Sequence, residues 1–203
     1  MGSKPLSGTA TMSARSADPR FSRSRAALIG AVADLVREKP VEDVSITQIA
    51  NSAGVTRPTF YQHFENVPAA TRAAALSRLA DAYPRVALPA TATATDTREA
   101  LEARAASVLE HLWRDRTFYR RVIDGAGSAD FFDALMEIVA DRMMLPAFHH
   151  SVRQTASERD RKRVLAGGIM WLVVRWLRTE QGAVRPQTMA RRITDIAMKM
   201  GDV

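Results

Sequence analysis

The amino-acid sequence predicts an all-α fold, with a small amino-terminal head of three helices and a larger helical body. Three observations carry this reading. Apolar residues recur at three- and four-residue spacing through most of the 203 residues, which lays them along one face of successive helices. No strand pairs, no strand–helix–strand rhythm and no internal repeat are present. Between Ser45 and Phe64, capping residues, a glycine and a proline punctuate two short helices set almost end to end.

In chain order, residues 1–20 are rich in Ser, Thr and Ala and read as a disordered basic arm. A first helix is expected from about Arg23 to Glu38, with Leu28, Ile29, Val32, Leu35 and Val36 on its buried stripe and Pro40 beyond its end. Val41–Val44 is a loop. Ser45 then opens a second helix through a capping box: its hydroxyl serves an orphan amide while Gln48 reaches back to the cap's own N–H. Ile46, Ile49, Ala50 and Ala53 form the stripe of that helix, and Gly54 supplies the positive φ that ends it. Thr56 caps a third helix, Pro58 suits its first turn, and Phe60 and Phe64 share its inner face.

A fourth helix runs from about Pro68 to Ala82 and stops near Pro84, and Pro84–Asp96 reads as a linker. Five more helices are expected near Thr97–Arg114, Asp115–Asp124, Ser128–His150, Ser157–Glu180 and Gln187–Met200, the third of them broken by Pro146. The domain reading is an arm at 1–20, a head at 21–66 whose helix pair spans 45–64, and a body at 67–203.

Two short helices joined by a glycine turn must cross steeply, which is helix-turn-helix geometry, and in that geometry the second helix enters the DNA major groove. If Val55, Phe60 and Phe64 pack inward, Arg57, Thr59, Tyr61, Gln62 and His63 are displayed outward or along the flank. Hydroxyls and an imidazole suit phosphate oxygens, while Arg57 and Gln62 can reach guanine and adenine edges. The bland alternative is a helix pair that merely closes a bundle. A net charge of +7 favours anionic partners, nucleic acid first, with membrane surfaces and acidic ligands left open. Lys4, Arg15, Arg20, Arg23 and Arg25 stand against Asp18 near the start of the chain.

Catalysis and metal binding find little support. Cysteine is absent, which removes disulfides, thiol chemistry and zinc–thiolate sites and fits a reducing cytoplasm. The histidines are His63, His111, His149 and His150; neighbours on a helix point about 100° apart, so His149 and His150 make no i, i+4 metal pair. No phosphate loop or nucleophile elbow occurs. No catalytic residue, metal or cofactor is assigned. The most apolar run, Val164–Leu177, is interrupted by Arg175 and falls short of the roughly 20 residues a bilayer span needs. A cytoplasmic protein without a membrane partner is expected.

In Val164–Leu177 the apolar residues wrap most of the helix, so it must be covered on more than one side. Met189, Ile193, Ile196, Ala197 and Met200 make a stripe on the last helix. Together the two could build a twofold four-helix interface; one buried core helix in a monomer is the alternative. Arg175 could pair with an anionic ligand or an acid across a dimer, or simply snorkel.

At Thr56–Phe64 the chain reads Thr-Arg-Pro-Thr-Phe-Tyr-Gln-His-Phe. Ser45–Phe64, with Phe21–Val44 before it, resembles the DNA-binding head of the TetR family of bacterial transcriptional regulators, whose signature ends in Thr/Ser-Arg-x-Thr-Phe-Tyr-x-His-Phe. The resemblance implies that Thr47, Arg57, Pro58 and Gln62 face bases and that Thr56, Thr59, Tyr61 and His63 hold phosphates, with Ser45 completing the DNA-binding set. It departs at Val67, where the family usually carries a phosphate-binding Lys; Asn66 and Pro68 still suit the start of the next helix. The resemblance also implies a homodimer, a double-stranded DNA operator and a small apolar or amphipathic effector held in the body, the whole acting as a repressor. The ligand-pocket candidates are Trp113, Phe118, Phe131, Met136, Met144, Phe148, Met170 and Trp171, accompanied by Tyr119, Phe132 and Met143, although aromatics and Met at helical spacing are also plain core. Two rival readings stay open: a small-molecule or lipid binding module with weak or no specific DNA binding, and a non-specific architectural DNA protein.

Overall fold

The computed structural model describes residues 19–83, 93–143, 156–179 and 184–201, and among them it contains α-helices and one 3-10 turn, with no strand. The helices are α1 (Pro19–Glu38), α2 (Ile46–Ser52), α3 (Arg57–His63), α4 (Val67–Ala82), α5 (Ala94–Arg114), α6 (Arg116–Ala126), α7 (Ala129–Met143), α8 (Ala156–Arg178) and α9 (Pro186–Gly201); the 3-10 turn is Val41–Asp43. The all-α class read from the sequence is what is found. Two compact units divide inside α4, at Ala74–Ala75.

In the head, α1, α2 and α3 each contact the other two. Leu28, Val32 and Val36 of α1, Ile49 of α2 and Phe60 of α3 have no measurable exposure, and burying each such side chain contributes about 1.5–3 kcal/mol. The local signals act as their chemistry requires. Ser45 Oγ accepts from Gln48 N at 3.3 Å while Gln48 Oε1 accepts from Ser45 N at 3.0 Å. At the other end of α2, Gly54 N–H bonds Asn51 O and Val55 N–H bonds Ala50 O, the paired bonds of a Schellman ending. Gly54, at φ 64°, is the one described residue with positive φ. Asn66 Oδ1 accepts from Ala69 N at 2.8 Å and opens α4.

Three boundaries differ from expectation. α1 begins at Pro19 rather than Arg23, because proline is tolerated in a first turn and Phe21 has a ring partner in His63, 4.0 Å away. Arg20, assigned to the arm, is therefore helical; residues 1–18 lie outside the described residues. The expected linker end, Thr93–Asp96, is instead a helix start: Thr93 Oγ1 accepts from Asp96 N and Asp96 Oδ2 accepts from Thr93 N at 2.8 Å, a second capping box. Asp115, expected as helical, caps α6 without serving an amide, since its Oδ2 takes Arg78 at 2.6 Å. Residues 84–92 and Pro146, the expected helix break, lie outside the described residues.

In the body, α9 runs antiparallel to α5. Arg98–Asp195, Glu102–Arg191 and Glu110–Gln187 bridge the pair, pairing ascending positions on one helix with descending positions on the other. Met189, Ile193 and Ala197 of α9 are buried. Ile196 and Met200, assigned to the same stripe, are 37% and 36% exposed. α8 is likewise two-faced: Leu165, Ala166, Ile169, Trp176 and Leu177 are buried, whereas Val164 and Trp171 are 67% and 58% exposed.

Candidate nucleic-acid interface and body cavity

The recognition face follows from how α3 is anchored. Phe60 is fully buried and Phe64 nearly so, which turns Arg57, Pro58, Tyr61 and Gln62 to the exposed side; on α2, Ser45 and Thr47 are also exposed. Neither α2 nor α3 contains an acid. Thr56 caps α3, its Oγ1 accepting from Thr59 N at 3.3 Å and lying 2.9 Å from Thr59 Oγ1. Ser45 is engaged in its own capping box. Seven residues make α3 short, and these caps hold its first turn in place of length.

His63 stands apart from this set. Its Nε2 lies 2.8 Å from Ser24 Oγ, and Ser24 Oγ already gives its single hydrogen to Phe21 O at 3.0 Å. Nε2 therefore carries the proton and donates, leaving Nδ1 as the bare nitrogen, buried and without a partner. Burial first, then the nearby Arg25 cation, holds the imidazole below the usual histidine pKa. The residue expected to grip phosphate thus ties α3 to α1. Arg25, whose guanidinium lies 5.5 Å from the Phe64 ring centroid, and Ser24 are the partners that sequence reading did not identify. Their contacts are 39 residues apart in the chain, where no local pattern signals them.

The body encloses a cavity of about 80 Å³. Among the described residues its lining comes from both ends of the unit, from Ala75 and Leu79 of α4 to Ile193 of α9, and includes no charged side chain. Of the predicted pocket set, Phe131 and Met170 line it, as does Tyr119. Trp113, Phe118, Met136 and Trp171 are placed elsewhere. Phe118 is fully buried with the Arg78 guanidinium 5.6 Å from its centroid. Trp113 stacks on Trp176 at 5.0 Å with Arg116 over it at 4.8 Å. Met136 packs at Gly167, its Sδ 3.6 Å from where a Cβ would stand. Trp171 is on the surface, and Arg175, also exposed, lies 5.2 Å from its ring. Met144 and Phe148 lie outside the described residues, as do His149 and His150. The lining that went unpredicted is aliphatic, such as Val108, Leu109, Ile169 and Val173. Among the described residues no group of His, Cys, Asp or Glu could hold a metal ion, and no helix is long and apolar enough to cross a membrane.

Among the described residues the chain is a three-helix head with a capped helix-turn-helix, followed by a helical body that contains a cavity. Residues 28–66 match the family of bacterial regulatory proteins, tetR family. The fold agrees along nearly the whole length. A TetR transcriptional regulator from Rhodococcus sp. RHA1 is 17% identical, with 90% of this chain and 98% of that one covered at a TM-score of 0.61. The TetR family repressor AlkX from Dietzia sp. strain DQ12-45-1b, implicated in biodegradation of n-alkanes, is 17% identical, with 88% and 95% covered at 0.58. A tetR-family regulator from Streptomyces coelicolor is 20% identical, with 88% of each chain covered at 0.56. At such identities the likeness is one of fold. No curated protein matches the chain in sequence.

Proposed function

We propose that the protein is a DNA-binding transcriptional regulator that grips a pseudo-palindromic operator as a homodimer and releases it when a small molecule fills the body. The observation that carries this is the exposed, acid-free face of Arg57, Pro58, Tyr61 and Gln62, presented on a helix anchored by buried Phe60. Two such helices must sit about 34–36 Å apart to meet successive major grooves. A second copy is supported by Val164 and Trp171 on α8 and by Ile196 and Met200 on α9, large apolar side chains left in water.

Release requires an effector that binds the DNA-free conformation better, and the two ligands then oppose each other by one coupling free energy, typically about 1–3 kcal/mol. α4 is the lever in this reading, being one continuous helix whose residues belong to both compact units. A repressor that leaves its operator on binding effector acts in the cytoplasm. The test is fluorescence anisotropy with DNA from upstream of the chain's own gene, at two salt concentrations. The expected outcome is tight binding that weakens with salt and prefers one sequence; salt-sensitive binding without sequence preference overturns the regulator in favour of an architectural DNA protein.

One observation favours a second reading. Val67, the first residue of α4, stands where the family usually offers a phosphate-binding Lys. A protein that held small molecules or lipids but ignored every duplex in the same assay would be a binding module instead.

A further inference from the structure

The cavity in the body is unusual for what its wall withholds. Residues from α4 to α9 line it, and among the described residues all are aliphatic, Met or aromatic. Two carry a hydroxyl, Tyr83 and Tyr119. The Tyr119 oxygen lies 2.8 Å from His111 Nε2, which takes up one of its hydrogen-bonding positions, and His111 is not among the described residues of the wall. Tyr83 is 5% exposed and also has an interaction of its own. A water molecule needs two to four polar partners to occupy a cavity, and an apolar cavity of about 150 Å³ stays dry and takes benzene. The cavity here is smaller, about 80 Å³, but Met170 in its wall has an unbranched, adaptable side chain that can yield to a guest.

We propose that this cavity takes an uncharged hydrocarbon without a hydrogen-bonding group, the size of a single ring or a short branched chain. The proposal rests on the body being the effector-binding unit, and it narrows the effector from apolar or amphipathic molecules to those with no polar head. The physical reason is asymmetric. Every CH₂ or ring carbon moved from water into this wall is stabilised, whereas a hydroxyl would exchange its water hydrogen bonds for two already engaged tyrosine oxygens at most, and a carboxylate would be buried with no counter-charge among the described residues. The exclusion is therefore stronger than the attraction, and charge matters more than size.

Titration calorimetry on the full chain without DNA tests this with three probes that share one skeleton: toluene, p-cresol and p-toluate. Toluene is expected to bind, p-cresol at least tenfold more weakly, and p-toluate not measurably. Ala105→Leu and Val173→Phe, from α5 and α8, should each weaken toluene at least tenfold while helical circular dichroism is kept; two variants guard against one that misfolds. p-Cresol or p-toluate binding as well as toluene overturns the hydrocarbon assignment and leaves the effector reading intact. Failure of all three to bind overturns the cavity as a ligand site. If toluene binds and the operator complex is unmoved, the hydrocarbon assignment stands and the effector role falls.

Discussion

His63 Nε2 and Ser24 Oγ lie 2.8 Å apart and close a relay that ends on the Phe21 carbonyl, fastening the end of α3 to the start of α1. Because the ring's other nitrogen is buried without a partner, protonating His63 would create an N–H with no acceptor, close to the positive charge of Arg25. Its folded pKa is accordingly below the unfolded value of about 6.5. Between those values the unfolded chain binds more protons than the folded one, so stability is complete above about pH 6.5 and falls as the pH drops below it. His111 acts in the same direction, lowered first by burial and then by Arg78. Urea midpoints measured from pH 7.5 to 5 should decline for the natural chain. They should decline less for His63→Gln or His111→Gln and least for both together; equal slopes in all four proteins would refute the assignment.

Gly54 is where backbone geometry leaves no alternative. Its φ of 64° is strained for any residue with a Cβ, yet a Cβ there would meet nothing within 4 Å. The cost of Gly54→Ala should therefore be purely conformational, about 1–2 kcal/mol, and Gly54→Asn should cost less because Asn tolerates this region. Chemical denaturation gives the comparison directly. A cost near zero would mean that the turn relaxes into another shape.

How much of this was legible in the sequence depends on range. Ser45–Gln48, Gly54 and Thr56 act on amides within a few residues, and each does what its position in the chain implied. Thr93–Asp96 uses the same chemistry but sits at the end of an alternating Ala–Thr stretch, where low complexity masked the helix start. His63 could not be placed, since its orientation is decided by Ser24 and Phe21, which are brought to it by folding. The cavity was misjudged for a different reason. Selecting large side chains finds density, and Phe118 and Trp113 indeed pack against neighbours; a void is bounded as much by Ala75, Ala105 and Val108.

The proposed recognition face offers two kinds of contact with different signatures. Arg57 has the length and paired donors to read a guanine edge, so Arg57→Ala should cost about 1–3 kcal/mol on the preferred sequence and relax the preference at one base position. Tyr61, 54% exposed at the flank, offers a hydroxyl suited to phosphate, and Tyr61→Phe should weaken all sequences by a similar factor. Competition binding against a panel of single-base operator variants separates the two. Uniform loss in both variants would show that the face is assigned wrongly.

Trp171 is the residue on which the dimer should depend. More than half of it is exposed, Val164 one side of it on α8 is more so, and Gly168 between them meets nothing within 4 Å. These positions fall at i, i+4 and i+7, one stripe of a single helix face, and an apolar stripe with a bare glycine lets a second backbone come close. A Trp at the centre of an interface is the kind of residue whose truncation costs 2 kcal/mol or more, roughly a thirtyfold rise in dissociation constant. Trp171→Ala should shift the sedimentation profile towards monomer at micromolar concentration and, through loss of the paired recognition helices, weaken operator binding without altering contacts to any one half-site. A variant that stays dimeric and binds DNA normally would move the interface away from α8.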